Sequence, residues 1–267
     1  MHATTLALVG AAGGAGTTRT AVELAALGAR DGRDVAVVDA AFTTQGLSEH
    51  VTGRIGTDCT ALITDEADAP LSAAAHPIAV AAESGDRGRS GGAGEADLPG
   101  SADAVPARAP FERLARAKTA EAAQKLERRI DEAASAYDAV IVDAAPVGSN
   151  EAVGAVTAAD RVEAVYPATT HGRDAVQRLR GRIADIGESV DGSIAVARDR
   201  DSEGDGEIGD GDVVVLPGTD PAVASAPVAA TGTGAYTRAI ADAYASAFDT
   251  AVDVELDEPG VFDRLRS

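Results

Sequence analysis

Glycine, threonine and aspartate residues in this chain are spaced to hold a phosphate group and a magnesium ion. A glycine-rich turn lies between a short apolar run and a helical pattern, and it consists of Gly13, Gly14, Ala15, Gly16, Thr17 and Thr18. The backbone N–H groups of such a turn, at the start of a helix, form a cradle for phosphates. Thr17 stands where a phosphate-binding loop ordinarily carries lysine. The sequence therefore predicts a nucleotide-binding fold and puts nucleotide chemistry in question.

Two aspartates end apolar runs further along the chain. Asp39 closes the run VAVVD, and Asp143 closes the run AVIVD. The carboxyl ends of parallel strands meet at one edge of a sheet, where ligands bind. A threonine hydroxyl and a carboxylate are oxygen ligands suited to Mg²⁺. We therefore predict that the turn, Asp39 and Asp143 bind the cofactor, that Thr18 and Asp143 hold the metal, and that no side chain acts as a catalytic base.

These residues need a sheet to bring them together, and the chain alternates short apolar runs with helical patterns. The predicted strands are Thr5–Val9, Val35–Asp39, Ile78–Ala82, Ala139–Asp143, Arg161–Tyr166, Ser193–Ala197 and Val213–Leu216. Runs that are almost wholly apolar are typical of strands covered on both faces. The alternation predicts an α/β fold with three layers, in which a mostly parallel sheet is doubly wound.

Two apolar stripes at helical spacing predict helices packed on that sheet. One stripe contains Val176, Leu179, Ile183 and Ile186, and the other contains Tyr236, Ile240, Tyr244 and Phe248. We expect one domain over residues 1–250, with a mobile loop or insertion at 83–110 and a tail at 251–267. The acidic segment 199–212 lacks the residue order of a calcium-binding EF-hand loop and is interpreted as a solvated loop.

The composition indicates a protein adapted to concentrated salt. The chain of 267 residues has 43 acidic and 23 basic residues, a net charge of −20, and only two lysines, Lys118 and Lys125. At about 1 M salt the Debye length is about 3 Å, so this self-repulsion is screened. An alternative explanation of the same net charge is a polyanionic protein that repels nucleic acid. Because Cys59 is the single cysteine and no apolar run approaches the length of a membrane span, we expect a cytoplasmic protein without disulfides.

The motifs together resemble those of the ParA/MinD-type ATPases, which have a deviant Walker A motif. The resemblance covers the glycine turn from Ala12 to Thr18, the segment VAVVDAAFTTQGL, the Walker B-like segment YDAVIVDAAP and the segment VVVLPGTDPAVASA. It implies a P-loop fold that binds ATP and Mg²⁺ and dimerises around two nucleotides. It also implies that VVVLPGTDPAVASA lies near the nucleotide base.

The chain differs from that family at the positions where the family carries charged residues of the nucleotide site. Thr17 replaces the loop lysine, Ala12 replaces the signature lysine that reaches the nucleotide of a dimer partner, and Ala41 replaces the aspartate that orients water. No base-contacting asparagine appears around Ala197. Phosphoryl transfer depends on positioning and charge neutralisation, so these changes oppose hydrolysis. The resemblance is therefore to a divergent member, from a halophile, with a degenerate site.

Nearby residues offer substitutes for the missing groups. Arg19 is a candidate cation, with a solvent-exposed or salt-bridging residue as the alternative, and Thr43 and Thr44 are candidates for orienting water. His171 is interpreted as a polar residue at a helix start. A short apolar pattern in residues 261–266 resembles a reduced membrane-targeting helix, with a locally packed terminus as the alternative.

Three functions are consistent with these residues. The leading hypothesis is a regulatory or scaffolding protein that binds ATP weakly or not at all, hydrolyses it negligibly, and acts through a protein partner or a homodimer. The alternative is a working ATPase switch, for cell positioning or partitioning, with atypical phosphate contacts. A third is DNA binding through Arg178, Arg180 and Arg182, which the net charge opposes, so we expect no nucleic-acid partner.

Overall fold

The sheet of this protein is built from strands that are mostly inaccessible to solvent. The computed structural model describes residues 3–80, 98–197 and 213–257. Its strands are β1 Thr4–Gly10, β2 Val35–Ala40, β3 His76–Pro77, β4 Ala102–Val105, β5 Ala139–Ala144, β6 Arg161–Pro167, β7 Gly192–Val196 and β8 Val213–Leu216. They form one sheet in the order β3-β4-β2-β5-β1-β6-β7-β8, in which only the short β3 runs antiparallel to its neighbour.

Helices cover both faces of the sheet. They are α1 Thr17–Arg30, α2 Cys59–Thr64, α3 Phe111–Ala117, α4 Ala120–Ala136, α5 Asn150–Thr157, α6 Thr170–Asp185 and α7 Ala235–Phe248. Successive strand residues point to opposite faces. Leu6 and Leu8 therefore pack with α1 and α7, whereas Ala7 and Val9 lie in the core shared with α2, α4, α5 and α6. The predicted α/β fold with three layers and a mostly parallel sheet is confirmed.

The two apolar stripes predicted from the sequence face the two cores on opposite sides of the sheet. On α6, Val176, Leu179 and Ile183 are buried and Ile186 is partly buried. On α7, the buried side chains are Ile240, Tyr244 and Phe248, with Tyr236 packed beside them. Both stripes are therefore packing faces, as expected.

Six predicted strands are confirmed, and the strand Ile78–Ala82 is wrong. The chain is extended earlier, at His76–Pro77, while Ile78 makes a single antiparallel bridge to Val51. The strand beside β2 is instead Ala102–Val105, inside the segment predicted to be a loop or insertion. That segment, ADAV, has one β-branched residue, so its strand character comes from pairing with Val35–Val38 rather than from its own pattern.

The predicted tail begins inside the packed structure. Val252, Val254 and Leu256 pack against the core on the side of α1 and α7. The Asp253 amide donates to Asp31 Oδ1 at 2.6 Å, and Arg30 Nη2 donates to the Glu255 carbonyl at 2.8 Å. Residues 251–257 are therefore fixed to the C-terminal end of α1.

Some sequence predictions concern residues that the structure does not describe. Residues 83–97, the acidic loop 199–212 and the apolar pattern at 261–266 lie outside the described residues. Within the described ranges, no helix is both long enough and apolar enough to cross a membrane.

Candidate functional site

The glycine turn forms an open cradle between β1 and α1. Gly14 and Gly16 adopt positive φ angles of 70° and 93°, which favour glycine, and Gly16 precedes α1 without a side-chain cap. A Cβ added at Gly13 or Gly14 would meet no atom within 4 Å, so the space above the turn is free. The first N–H groups of α1 have no partner in their own helix. The turn therefore has the backbone geometry and the free space that an anion would need.

A cavity of about 290 Å³ lies over this cradle. Its walls come from the turn, from the loop after β2 and from the loop after β5, and it is lined by Gly10, Ala12–Arg19, Ala41, Thr44, Gly46 and Asp143–Pro146. The sheet order places β1 beside β5, and β5 beside β2, so their carboxyl ends meet here. The structure thus brings the turn and Asp143 together as predicted.

Thr18 and Asp143 form the centre of this cavity. Thr18 Oγ1 donates to Asp143 Oδ2 at 2.6 Å. Asp143 is 1% exposed, and within the described residues its other oxygen, Oδ1, is buried without a hydrogen-bond partner. Burial raises the pKa of Asp143 to about 6, and the Thr18 hydrogen bond opposes that rise. A buried carboxylate oxygen with no partner beside a hydroxyl fits the oxygen ligands that Mg²⁺ prefers.

Asp39 lies behind the cavity rather than in its wall. Its Oδ1 accepts from the Ala41 amide at 2.9 Å, and its Oδ2 accepts from the Ala107 amide at 3.0 Å. Burial first, and then the negative charge of Asp143 on the paired strand, raises the pKa of Asp39 to about 8. Asp39 therefore braces the loops after β2 and β4, and it is not among the described residues that line the cavity.

The cavity holds little positive charge. Thr17 brings no charge, and its Oγ1 turns toward Gly10, where an added Cβ would lie only 2.8 Å away. Arg19 is the only cation among the residues that line the cavity in the described ranges. Its guanidinium, however, is directed to the far side of the turn.

Arg19 ties α1 to the segment after β8. Its Nε pairs with Glu23 Oε1 at 2.8 Å, its Nη1 donates to the Asp220 carbonyl at 2.9 Å, and its Nη2 donates to the Ser225 carbonyl at 3.4 Å. Glu23 is fully buried, and its other oxygen accepts from the Ala229 amide at 2.8 Å. These contacts match the salt-bridge alternative for Arg19 and use the donors that a phosphate would need.

We expect Arg19→Lys to loosen the segment 217–226 while leaving the fold intact. Lysine keeps a charge beside Glu23 but lacks the planar fork that reaches both carbonyls. Losing one charge-assisted bond of about 1.5 kcal/mol corresponds to an opening of the segment that is roughly tenfold more frequent. Hydrogen exchange of the amides in 217–226 measures this change. Arg238→Lys, at a partly exposed arginine on α7, is the control, and equal exchange in both variants would contradict the expectation.

A second cavity of about 430 Å³ adjoins the turn on the side of Arg19. It is lined by Gly14, Gly16, Arg19, Thr20, His50, Val196, Ala197, Pro217, Thr219, Pro221, Val223 and Tyr236. Several of these come from the segment that the resemblance places near a nucleotide base. A cavity with apolar walls next to a phosphate cradle suits the nucleoside half of a nucleotide.

Sequence reasoning missed two polar residues at this second cavity. His50 follows a 3₁₀ turn, Gly46–Glu49, and burial together with the charge of Arg19 lowers its pKa. Tyr236 begins the apolar stripe of α7 and was interpreted only as a packing residue. His171, by contrast, is exposed in the first turn of α6, as predicted. No signal in the sequence sets His50 apart, because its neighbours in space come from distant segments.

Solved structures of MinD-type proteins share this architecture. A chain of the MinC:MinD cell division protein complex from Aquifex aeolicus is 18% identical and superposes with a TM-score of 0.66, covering 95% of this chain and 98% of that one. The septum site-determining protein MinD of Pyrococcus horikoshii, complexed with Mg-ADP, is 18% identical, with a TM-score of 0.62 and coverage of 81% and 82%.

An enzyme of different activity also shares the architecture. Cobyrinic acid a,c-diamide synthase of Mycobacterium smegmatis, with an ATP analogue and magnesium, is 19% identical, with a TM-score of 0.54 and coverage of 73% and 72%. No protein-family model matches the chain, and no curated protein matches it by sequence. Identities this low establish architecture alone. The chain therefore has the P-loop α/β fold seen in MinD-type proteins.

Proposed function

We propose that this chain is a ParA/MinD-like protein of a salt-adapted cytoplasm, with a degenerate site that binds Mg-nucleotide weakly and hydrolyses it negligibly. The proposal rests on one observation, a glycine cradle with an intact Thr18–Asp143 pair and no lysine in the loop. Under this proposal, residues 1–250 act as one domain and 251–267 as its tail. The protein acts by binding partners rather than by turning over ATP.

The residues that would hold the nucleotide are distributed over both cavities. The N–H groups of the turn would bind phosphate oxygens, and Thr18 and Asp143 would hold Mg²⁺ or its bound water. The second cavity would receive the base. Bound Mg²⁺ would neutralise part of the phosphate charge. Ala41, at the wall of the cavity, provides no carboxylate to orient an attacking water, which supports the proposal of negligible hydrolysis.

The role of the protein is proposed from its architecture and charge. The Aquifex structure of this fold is a MinC:MinD complex, and we propose that this chain likewise acts through a protein partner or a homodimer. Nucleic acid is not proposed as a partner. Arg180 donates to Ser193 Oγ and Arg182 to the Val147 carbonyl, so both are engaged within the fold, and a net charge of −20 opposes DNA.

Calorimetry tests this function directly. MgATP and MgADP are titrated into the protein in multimolar KCl, because the acidic composition indicates a salt-rich solvent. We expect dissociation constants weaker than micromolar and no phosphate release above the background of an Asp143→Asn variant. Micromolar affinity with steady turnover would refute the degenerate site.

An ATPase switch with atypical phosphate contacts is the second candidate. It is favoured by Asp143 Oδ1, which has no hydrogen-bond partner among the described residues and is the group that a working metal site would use. The two candidates differ in their response to restored family residues. A pseudo-ATPase gains activity when Thr17→Lys and Ala41→Asp are combined, whereas a switch adapted to other contacts loses it.

A further inference from the structure

Lys118 contacts a loop that borders the first cavity. It connects α3 to α4, and its Nζ donates to Thr43 Oγ1 at 2.6 Å. Thr43 belongs to the loop after β2, between Ala41 and Thr44, which both line the cavity. A residue 75 positions away in sequence thus contacts the loop that borders the site.

The backbone of Lys118 is anchored to the start of α5. Asn150 Nδ2, at the start of α5, donates to the Lys118 carbonyl at 2.9 Å. Asn150 follows shortly after the loop Asp143–Pro146, which lines the same cavity. Lys118 is therefore held between the loop after β2 and the start of α5, which follows the loop after β5.

A buried carboxylate accompanies this lysine. Lys118 Nζ lies 3.4 Å from Glu151 Oε1, and the Glu151 side chain is 2% exposed. Its other oxygen, Oε2, is buried and has no partner in the described part of the chain. An ammonium group has three donors, and the contacts with Thr43 and Glu151 use two of them. The flexible stem of lysine allows its charge to move within this space.

We propose that Lys118 is the cation that contacts the terminal phosphate of a nucleotide bound in the first cavity. The inference rests on the proposed function, since it requires that the cavity bind nucleotide. The loop lysine is absent, and Arg19 is engaged by Glu23 and two carbonyls. Thr43 holds the ammonium at the edge of the site until the phosphate replaces the hydroxyl as its acceptor. Triphosphates are then preferred over diphosphates.

The presence of only two lysines allows a direct spectroscopic test. Reductive ¹³C-methylation keeps the charge and gives one signal for each lysine and one for the N-terminal amine. Lys118→Arg and Lys125→Arg assign the two lysine signals. Lys125 is the matched control, because it pairs at 2.9 Å with the exposed Glu121 on α4. The probes are Mg²⁺ with a β,γ-imido ATP analogue, and Mg²⁺ with ADP.

We expect the triphosphate analogue to shift the Lys118 signal and MgADP to leave it nearly unchanged. The Lys125 signal should not shift in either titration. In calorimetry of the unmethylated protein, Lys118→Gln should weaken the analogue about tenfold and leave ADP affinity unchanged. Lys125→Gln should bind both nucleotides like the parent protein, and Lys118→Arg should retain most of the preference.

The outcomes separate this inference from the proposed function. If calorimetry detects binding of both nucleotides while the Lys118 signal stays still and Lys118→Gln keeps the preference, Lys118 is only a tether between loops. If neither nucleotide binds, both the nucleotide site and the role of Lys118 are refuted. Thermal unfolding of Lys118→Gln close to that of the parent protein shows that a loss of affinity comes from the site and not from the fold.

Discussion

The substitution Thr17→Lys should tighten MgATP binding about tenfold to a hundredfold. The cradle and the Thr18–Asp143 pair are already in place, so a lysine would add a charge-assisted bond without requiring a new loop. Such a bond contributes about 1.5–3 kcal/mol, and each 1.4 kcal/mol is about a factor of ten in affinity. Thr17 Oγ1 is directed toward Gly10, whereas an unbranched lysine stem can enter the cavity instead. Calorimetry with MgATP measures the gain.

Charge, rather than length, should account for that gain. Thr17→Gln places an uncharged side chain at the same position and should leave the affinity close to that of the parent protein. Adding Ala41→Asp to Thr17→Lys should then raise phosphate release, since the carboxylate can orient water. Unchanged MgATP affinity in Thr17→Lys would show that the turn is not the phosphate site. A fall in turnover would instead favour the ATPase switch.

The substitution Asp143→Asn should stabilise the ligand-free protein and weaken its Mg-nucleotide binding. The amide oxygen still accepts from Thr18, so the 2.6 Å hydrogen bond is kept while the buried charge is removed. A carboxyl whose pKa is raised to about 6 costs the fold about 1–3 kcal/mol once ionised. Loss of the carboxylate that we propose holds Mg²⁺ should weaken Mg-nucleotide affinity about tenfold to a hundredfold. Urea unfolding and calorimetry measure the two effects.

The stability gain should depend on pH in a defined direction. Below about pH 3 the aspartate is protonated in both states, so parent and variant should differ little. As the pH rises, the unfolded chain loses its protons first, because the folded pKa values are raised to about 6 for Asp143 and about 8 for Asp39. The parent protein therefore loses stability relative to the variant up to about pH 6, the folded pKa of Asp143. Asp39, which both proteins contain, extends this loss toward pH 8 only because the charge of Asp143 raises its pKa. An advantage that is constant from pH 4 to pH 8 would contradict the assigned pKa values.

The sequence was informative where a residue's role is set by its own segment. Strand Ala139–Ala144 is a continuous apolar run, and the turn Gly13–Thr18 carries its own conformational demands, so both were predicted correctly. Strand Ala102–Val105 was missed because its conformation depends on a neighbour, β2. Its surroundings in the sequence, rich in glycine and proline, indicated a loop.

The charged contacts of the site could not be predicted, because they join distant segments. Arg19 meets Asp220 across 201 positions, and Lys118 meets Thr43 across 75. Such pairs follow from the order of strands in the sheet, and no local periodicity encodes that order. Asp39 was correctly placed at a strand end. One of its oxygens accepts from the local Ala41 amide, but the Ala107 amide that occupies the other is brought there by the tertiary structure.

Helix α1 connects the glycine turn to the segment Asp253–Glu255. Its first residues lie under the cavity, and at its far end Arg30 and Asp31 hold the segment Asp253–Glu255. A helix of 14 residues is a stiff rod of about 21 Å, so its two ends tilt together. A fluorescent dye attached at the exposed residue 255 should therefore change its signal when a ligand binds at the other end of α1. Nucleotides could then be screened without a label in the site itself.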